Sequence, residues 1–395
     1  MVPTHARPCY LLNMSQASGI FAPLGRRHAL DAEMHANHQV RIVLDPHDAW
    51  RLLLADIAQA KVSILIEMYM LVDDAAGEIF VAALGQAVAR GVDVRLTIDG
   101  LGSIDVAGDL PERLTEFGVH WRIFHPMQAA TPWKHWLRRN HRKLMIFDEH
   151  VAHVGGRNIG ERYYALAPGD PAWLDLTARV EGPCVRQMAA VLRGHWRKVA
   201  RVKEPAPDLP GPALVTHAFN LGGPRRAFAN RRMVQAVRSA TQSIHVVQAY
   251  FLPNWALQRA LVTAARRGVD VRVIVPDLAT SDVPMVALGS EHGVGRLLKR
   301  GVRVFTLRNG TLHAKCMVID GVWWTVGSAN MDPLSRLRNL EANVVGVGEA
   351  EARDVEAFFT QIAAMAEELS WRQWQERPLW RRVAGAVLWR LRGLA

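Results

Sequence analysis

The segment His141-Arg142-Lys143-Leu144-Met145-Ile146-Phe147-Asp148 recurs as His313-Ala314-Lys315-Cys316-Met317-Val318-Ile319-Asp320. Both copies read H-x-K-x4-D and run into a Gly/Asn turn, Val154-Gly155-Gly156-Arg157-Asn158 and Val326-Gly327-Ser328-Ala329-Asn330. Two octets in the same order with the same tail imply a duplicated unit that brings two His/Lys pairs together. Alternate residues of a strand share a face, so His141 points with Lys143 and His313 with Lys315. Asp148 and Asp320 stand at odd offsets from their histidines, on the opposite face of a regular strand. Structural hydrogen bonds are the role expected of these two carboxylates.

The repeat is wider than the octets. Arg90-Gly91-Val92-Asp93-Val94-Arg95 matches Arg267-Gly268-Val269-Asp270-Val271-Arg272, and Glu67-Met68-Tyr69-Met70-Leu71 lines up with Gln248-Ala249-Tyr250-Phe251-Leu252. Residues 75–90 and 254–267 show helical spacing of apolar positions. Each half therefore reads strand, helix, strand, helix, the strand bearing H-x-K, then a further strand. Gly118-Val119-His120-Trp121-Arg122 and Gly301-Val302-Arg303-Val304-Phe305 add one short strand per half. Alternating strands and helices predict an α/β protein built on a largely buried sheet. Four prolines within 202–212 mark a stiff linker. The expected domains are 38–200 and 213–369, joined by 201–212. A poorly ordered extension over 1–37 precedes them, and a separate tail over 370–395 follows.

A net charge of +11 and a pI near 10.1 favour anionic partners: nucleic acid, an acidic membrane surface or phosphate-bearing substrates. Three cysteines, Cys9, Cys184 and Cys316, argue against a disulfide framework and fit a reducing compartment. No Cys/His cluster has zinc-ligand spacing, and His150 and His153 read as strand-flanking residues. No run of about 18 apolar residues predicts a spanning helix.

Phosphodiester exchange needs a nucleophile, a proton donor for the leaving alkoxide and positive charge around the nonbridging oxygens. Two histidines supply the first two roles. Two lysines, helped by Asn158 and Asn330 just past their turns, supply the third. With that charge present, neither a metal nor another cofactor is expected. A histidine nucleophile also calls for a carboxylate on its other nitrogen. Asp175, in Trp173-Leu174-Asp175-Leu176, and Glu341, in Asn339-Leu340-Glu341-Ala342-Asn343, are the candidates, both on expected strands soon after a motif.

The paired octets with Gly-Gly-Arg-Asn and Gly-Ser-Ala-Asn resemble the phospholipase D superfamily, and within it the bacterial cardiolipin synthases. Ile66-Glu67-Met68-Tyr69, Gln248-Ala249-Tyr250-Phe251-Leu252-Pro253 and Gly327-Ser328-Ala329-Asn330-Met331-Asp332 with Ser335 support the narrower likeness, over roughly residues 40–365. The resemblance implies two pseudo-twofold-related sandwich lobes, with helices on both faces of mixed sheets, in one monomer. Its active site would lie between the lobes. By the same likeness, His141, Lys143, Asp148, His313, Lys315 and Asp320 form the catalytic motif, with His141 the nucleophile and His313 the acid/base. The reaction implied joins two phosphatidylglycerols into cardiolipin and frees glycerol, through a covalent phosphohistidine and without an obligate protein partner. A hydrolase of the phospholipase D type and a metal-independent nuclease are the alternatives on the same fold. Many cardiolipin synthases carry two N-terminal spanning helices, and none is predicted here. The chain therefore resembles the shorter B type, peripheral on the cytoplasmic side of the bacterial inner membrane.

Two segments could meet an anionic membrane. After Pro378, apolar residues recur at 380, 383, 384, 387, 388 and 391, a helical stripe flanked by arginines and tryptophans. A basic amphipathic helix of this kind lies in the interface plane. Trp389 falls on the polar side of that wheel, and docking on the second domain is the competing expectation. Pro132-Trp133-Lys134-His135-Trp136-Leu137-Arg138-Arg139-Asn140 interleaves cations and aromatics beside His141, as suits lipid headgroups or single-stranded nucleic acid.

Overall fold

The computed structural model describes residues 34–103, 109–127, 136–196 and 213–391. The first half contains β1 (His35–Val43), α1 (Pro46–Gln59), β2 (Ser63–Met68), α2 (Ala75–Ala89), β3 (Asp93–Asp99), α3 (Leu110–Glu116), β4 (His120–Phe124), β5 (Lys143–Phe147), β6 (Val151–Gly155), β7 (Thr177–Glu181) and α4 (Pro183–Arg193). The second half repeats that order. It runs β8 (Ala213–Leu221), α5 (Phe228–Ser239), β9 (Ser243–Gln248), α6 (Trp255–Arg266), β10 (Asp270–Pro276), α7 (Pro284–Leu298), β11 (Arg303–Leu307), β12 (Lys315–Ile319), β13 (Trp323–Gly327), α8 (Pro333–Leu337), β14 (Leu340–Val347) and α9 (Glu349–Met365). Then come β15 (Ala366–Glu368), α10 (Trp371–Gln375) and α11 (Leu379–Leu391).

The strands form one mixed sheet whose order reads the same from either end. From its centre, β1-β7-β6-β5-β2-β3-β4 runs one way and β8-β14-β13-β12-β9-β10-β11 the other, with β15 added at the second edge. β2, β3 and β4 are parallel, as are β9, β10 and β11, while the strand bearing Lys143 or Lys315 pairs antiparallel with β2 or β9. β1 meets β8 antiparallel and joins the halves. β1 begins at His35, three residues before the expected boundary at 38, and residues 1–33 of the expected extension lie outside the described residues. The expected linker over 201–212 lies outside the described residues.

β5, β12 and β13 are buried at every position, as strands covered on both faces must be. Three apolar cores result. One lies outside the first half, under α1 and α2, with Leu53, Phe80 and Leu96. Another lies outside the second, under α5 and α6, with Met233, Leu261 and Val273. The third is shared: Ile146 and Val154 of the first half pack in one cluster with Val318, Trp324 and Phe358 of the second, and α4 and α9 fill it. Polar signals set the helix starts. Asp45 caps α1 ahead of Pro46, and Asn254 caps α6.

The last helices differ from the expected separate tail. α10 and α11 fold back onto α7, with Trp389 and Gly385 buried in the contact. Trp389, on the polar side of the wheel, is the residue that docks.

Candidate active site

His141 and His313 each stand two residues ahead of the lysine that opens β5 or β12. The chain just before each histidine pairs with the other half. Asn140 forms a parallel bridge with Leu340, and His141 N donates to Leu340 O at 2.9 Å. Leu312 bridges Leu174 in the same way, and His313 N donates to Leu174 O at 2.9 Å. In parallel bridges the following residues are also neighbours, so His141 comes beside Glu341 and His313 beside Asp175.

Each histidine is thus held by a carboxylate from the opposite half. His141 Nδ1 lies 3.0 Å from Glu341 Oε2, and His313 Nδ1 lies 2.7 Å from Asp175 Oδ2. A carboxylate can only accept, so each Nδ1 carries the proton and each Nε2 is left bare. The carboxylates do not sit with the motif they follow in sequence, and Asp175 lies in the lead-in to β7 instead of on a strand. Glu341 is fixed further by Ser328 Oγ at 2.5 Å and Ser335 Oγ at 2.7 Å. On the Asp175 side the repeat places Gly156 where Ser328 stands. A Cβ there would fall 2.3 Å from Asp175 Oδ2, so only glycine fits.

Both lysines are buried. Lys143 Nζ donates to His141 O at 3.0 Å, and Lys315 Nζ donates to His313 O. Burial, then the neighbouring Lys315 charge, pushes Lys143 well below its ordinary pKa, and burial lowers Lys315 against the pull of Asp175. Burial also lowers His141, against the pull of Glu341, and lowers His313 to about 4 with help from Lys315. Burial alone would raise Asp175, but the His313 hydrogen bond and the Lys315 charge outweigh it and hold the carboxyl below its usual range. Both imidazoles are therefore neutral at pH 7, and an anionic phosphodiester beside them would favour the charged forms of the histidines and lysines alike.

Both histidines face one cavity of about 780 Å³. Its wall includes Asn158 and Asn330, whose places beyond the Gly turns bring them to the site. Asn158 Oδ1 accepts from Met70 N at 3.2 Å, and Asn330 N donates to Ser335 Oγ at 3.2 Å. Asp148 and Asp320 are not part of that wall. Asp148 accepts from the backbone N–H groups of Lys61, Val62 and Ser63, and Asp320 from those of Thr241, Gln242 and Ser243. Their place in a catalytic motif is corrected accordingly: each ties its strand's end to the strand beside it. Both have positive φ, 48° and 52°, in the turn that leaves the strand.

Sequence reasoning missed the aromatic walls. The Tyr69 ring lies 4.8 Å from that of His141, edge-on, and 4.8 Å from Lys143 Nζ. Tyr163 and Trp173 flank His313 at 5.2 and 5.6 Å. Tyr250, which the repeat aligns with Tyr69, donates to Asp282 Oδ2 at 2.6 Å on the same wall. That alignment was the available signal. Arg142, next to His141, is fully buried and donates to Glu67 Oε2 at 2.6 Å, so a second ionic contact steadies the same strand. His153 is a structural partner of Asp56, 2.6 Å away. Of the basic-aromatic segment ahead of His141, residues 132–135 lie outside the described residues, while Trp136 and Leu137 line the cavity mouth.

Comparison with known proteins gives the family and the fold. The family described as cardiolipin synthase, phospholipase D-like domain, matches residues 53–167 and 233–363. Cardiolipin synthase B of Salmonella typhi is 32% identical over 319 residues, covering 78% of this chain and 76% of that protein. The major cardiolipin synthase ClsA of Bacillus subtilis (strain 168) is 28% identical over 376 residues, covering 93% and 77%. In fold, the chain is similar to the crystal structure of phosphatidylserine synthase from Haemophilus influenzae Rd KW20. The TM-score is 0.67 at 15% identity, covering 92% of this chain and 94% of that one. Doubled motif, shared cavity and matched sequence lead to one assignment: the chain belongs to the cardiolipin synthase family of phospholipase D-like proteins.

Proposed function

We propose that this protein is a phosphatidyltransferase that joins two phosphatidylglycerol molecules into cardiolipin and releases glycerol. The observation that carries the reading is the pair of Nδ1-anchored histidines on one cavity, each with a buried lysine two residues on whose Nζ meets its backbone, in a chain whose relatives are named cardiolipin synthases. Nε2 of His141 attacks phosphorus, and the bond from phosphorus to the glycerol headgroup oxygen breaks. His313 gives that oxygen a proton, so glycerol leaves and a phosphatidyl group remains on His141. A hydroxyl of a second phosphatidylglycerol then attacks phosphorus, the P–N bond breaks, and its proton passes to His313. Lys143 and Lys315 stabilise the nonbridging oxygens throughout. The phosphate of the substrate also raises the proton affinity of His313, which burial otherwise keeps neutral.

The enzyme would act peripherally on a phospholipid membrane. No helix among the described residues is long and apolar enough to cross one. Free buried Cys184 and Cys316 fit a reducing compartment, hence the cytoplasmic face. Purified protein incubated with phosphatidylglycerol vesicles, beside His141→Ala and His313→Ala, tests the reaction. Cardiolipin and glycerol from the wild type alone are expected, with radiolabelled phosphatidyl trapped on the wild-type chain after quenching. Phosphatidic acid without cardiolipin would replace transfer with hydrolysis.

A further inference from the structure

The amphipathic C-terminal helix is docked with its apolar stripe facing outward. Gly385 and Trp389 turn one side of α11 into α7. On the opposite side Leu379, Val383, Val387 and Leu391 form a ridge repeating every four residues, each about half exposed or more, with Trp380 beside it at 61% exposure. A helix stabilised by its own docking has no need of such a ridge, and apolar surface of this extent on a protein marks a contact.

Two further observations say what that contact is. First, the ridge is continuous with the active-site cavity. Leu388 and Leu391 line the cavity wall, together with Val283, Met285 and Val286 at the start of α7, and Met285 is 68% exposed. Second, the surroundings are cationic. Residues 371–391 contain five arginines and one glutamate. Arg390 lines a groove with Trp255, whose ring carries Arg296, and Arg296 opens onto a surface formed with Arg266, Lys299 and Arg300. Apolar ridge, headgroup-level tryptophan and flanking cations together match one leaflet of an anionic bilayer.

We propose that α11 is a fixed collar that sinks its ridge into an anionic leaflet, so that the cavity mouth opens straight into the lipid and both substrates enter sideways, acyl chains trailing out past the start of α7 and the end of α11. The proposal rests on the phospholipid-transfer reading for its substrates, though not for membrane binding itself. The collar is part of the folded second lobe, unlike a flexible anchor on a tether, and so sets the orientation of the site as well as its location.

The test uses the full chain carrying Val383→Glu and Val387→Glu, neither of which touches the cavity. Sedimentation with vesicles of phosphatidylcholine and phosphatidylglycerol is compared with turnover of vesicle phosphatidylglycerol and of dihexanoyl phosphatidylglycerol dispersed as monomers. The double variant is expected to lose vesicle binding and vesicle turnover at least tenfold while keeping monomer turnover within about twofold. Binding and vesicle turnover equal to wild type would overturn the collar. If neither form turns over any lipid but vesicle binding still falls in the variant, the collar stands and the transfer reading fails. Independently, an environment-sensitive dye on Val383→Cys, in a Cys9→Ser background, is expected to shift to the blue on vesicles and to be quenched by brominated acyl chains. An unshifted dye would also refute the insertion.

Discussion

His141 and His313 borrow their carboxylates from across the molecule, and this exchange decides what substitutions there will do. Glu341→Gln and Asp175→Asn keep the size of each side chain but offer an amide that can present N–H to the imidazole, favouring the wrong tautomer. Turnover is expected to fall roughly 10²–10⁴-fold for either, as in other His/carboxylate pairs, with the melting temperature changed little. Steady-state kinetics beside a thermal melt checks this, and activity within tenfold of wild type would remove the orienting role. Asp320→Ala should do the reverse. It frees three backbone N–H groups at the start of β9, costing roughly 2–3 kcal/mol of stability, while turnover per folded molecule stays close to wild type. The separation of these roles was legible in part. Odd spacing placed Asp148 and Asp320 off the reactive face, and residue type singled out Asp175 and Glu341. The crossing was not legible, because it depends on Asn140 pairing with Leu340 and Leu174 with Leu312, contacts between segments far apart in sequence with no local signature.

At the scale of elements, α11 shows why amphipathicity alone misassigns a helix. Its wheel announced an apolar face, and that face is indeed the exposed one, while the helix is held by Trp389 from the other side. The seat is a pair of small residues on α7. A Cβ at Gly293 would come within 2.3 Å of the Trp389 ring, and the Trp374 ring occupies the corresponding space over Gly295. Trp374 Nε1 also donates to Glu291 O at 2.8 Å, and Arg381 pairs with the Glu291 carboxylate. Gly293→Ala is therefore expected to lift α11, with an overpacking cost of roughly 1–3 kcal/mol. Limited proteolysis reads this directly: cleavage within 371–391 should accelerate in the variant while the rest of the chain stays resistant, and an unchanged pattern would mean the ring can slide aside. Strand order in the two halves was far more legible, because the repeat supplies each β-α unit twice. A seat made of glycines carries no periodic signal in its own helix and becomes visible only once α7 and α11 are adjacent.

For the whole molecule, one shared core and a set of buried histidines determine how the fold meets acid. Cys184, Val318 and Phe358 belong to a single cluster spanning both halves, so unfolding is expected as one transition. Burial lowers His38 and His217 to about 4, as it does His313, against about 6.5 in an unfolded chain. As pH falls below 6.5 the unfolded chain takes up protons that the folded state refuses until near 4, so stability is lost downward through that window. From pH 7 to 5.5 the loss is about 1.2 kcal/mol per histidine. Asp332 works the other way. Burial raises it to about 6, so the folded state gains a proton in the same window and recovers roughly 0.8 kcal/mol. Asp56 and Glu67, which Arg179 and Arg142 help to hold near 2, stabilise the fold above their unfolded values and weaken it only at lower pH. The net expectation is a loss on the order of 3 kcal/mol between pH 7 and 5.5, seen as a lower denaturant midpoint at constant ionic strength. His217→Gln, outside the cavity wall, should flatten that dependence by about two-fifths. A midpoint that holds steady or rises over this range would mean that the three histidines take up protons in the folded state.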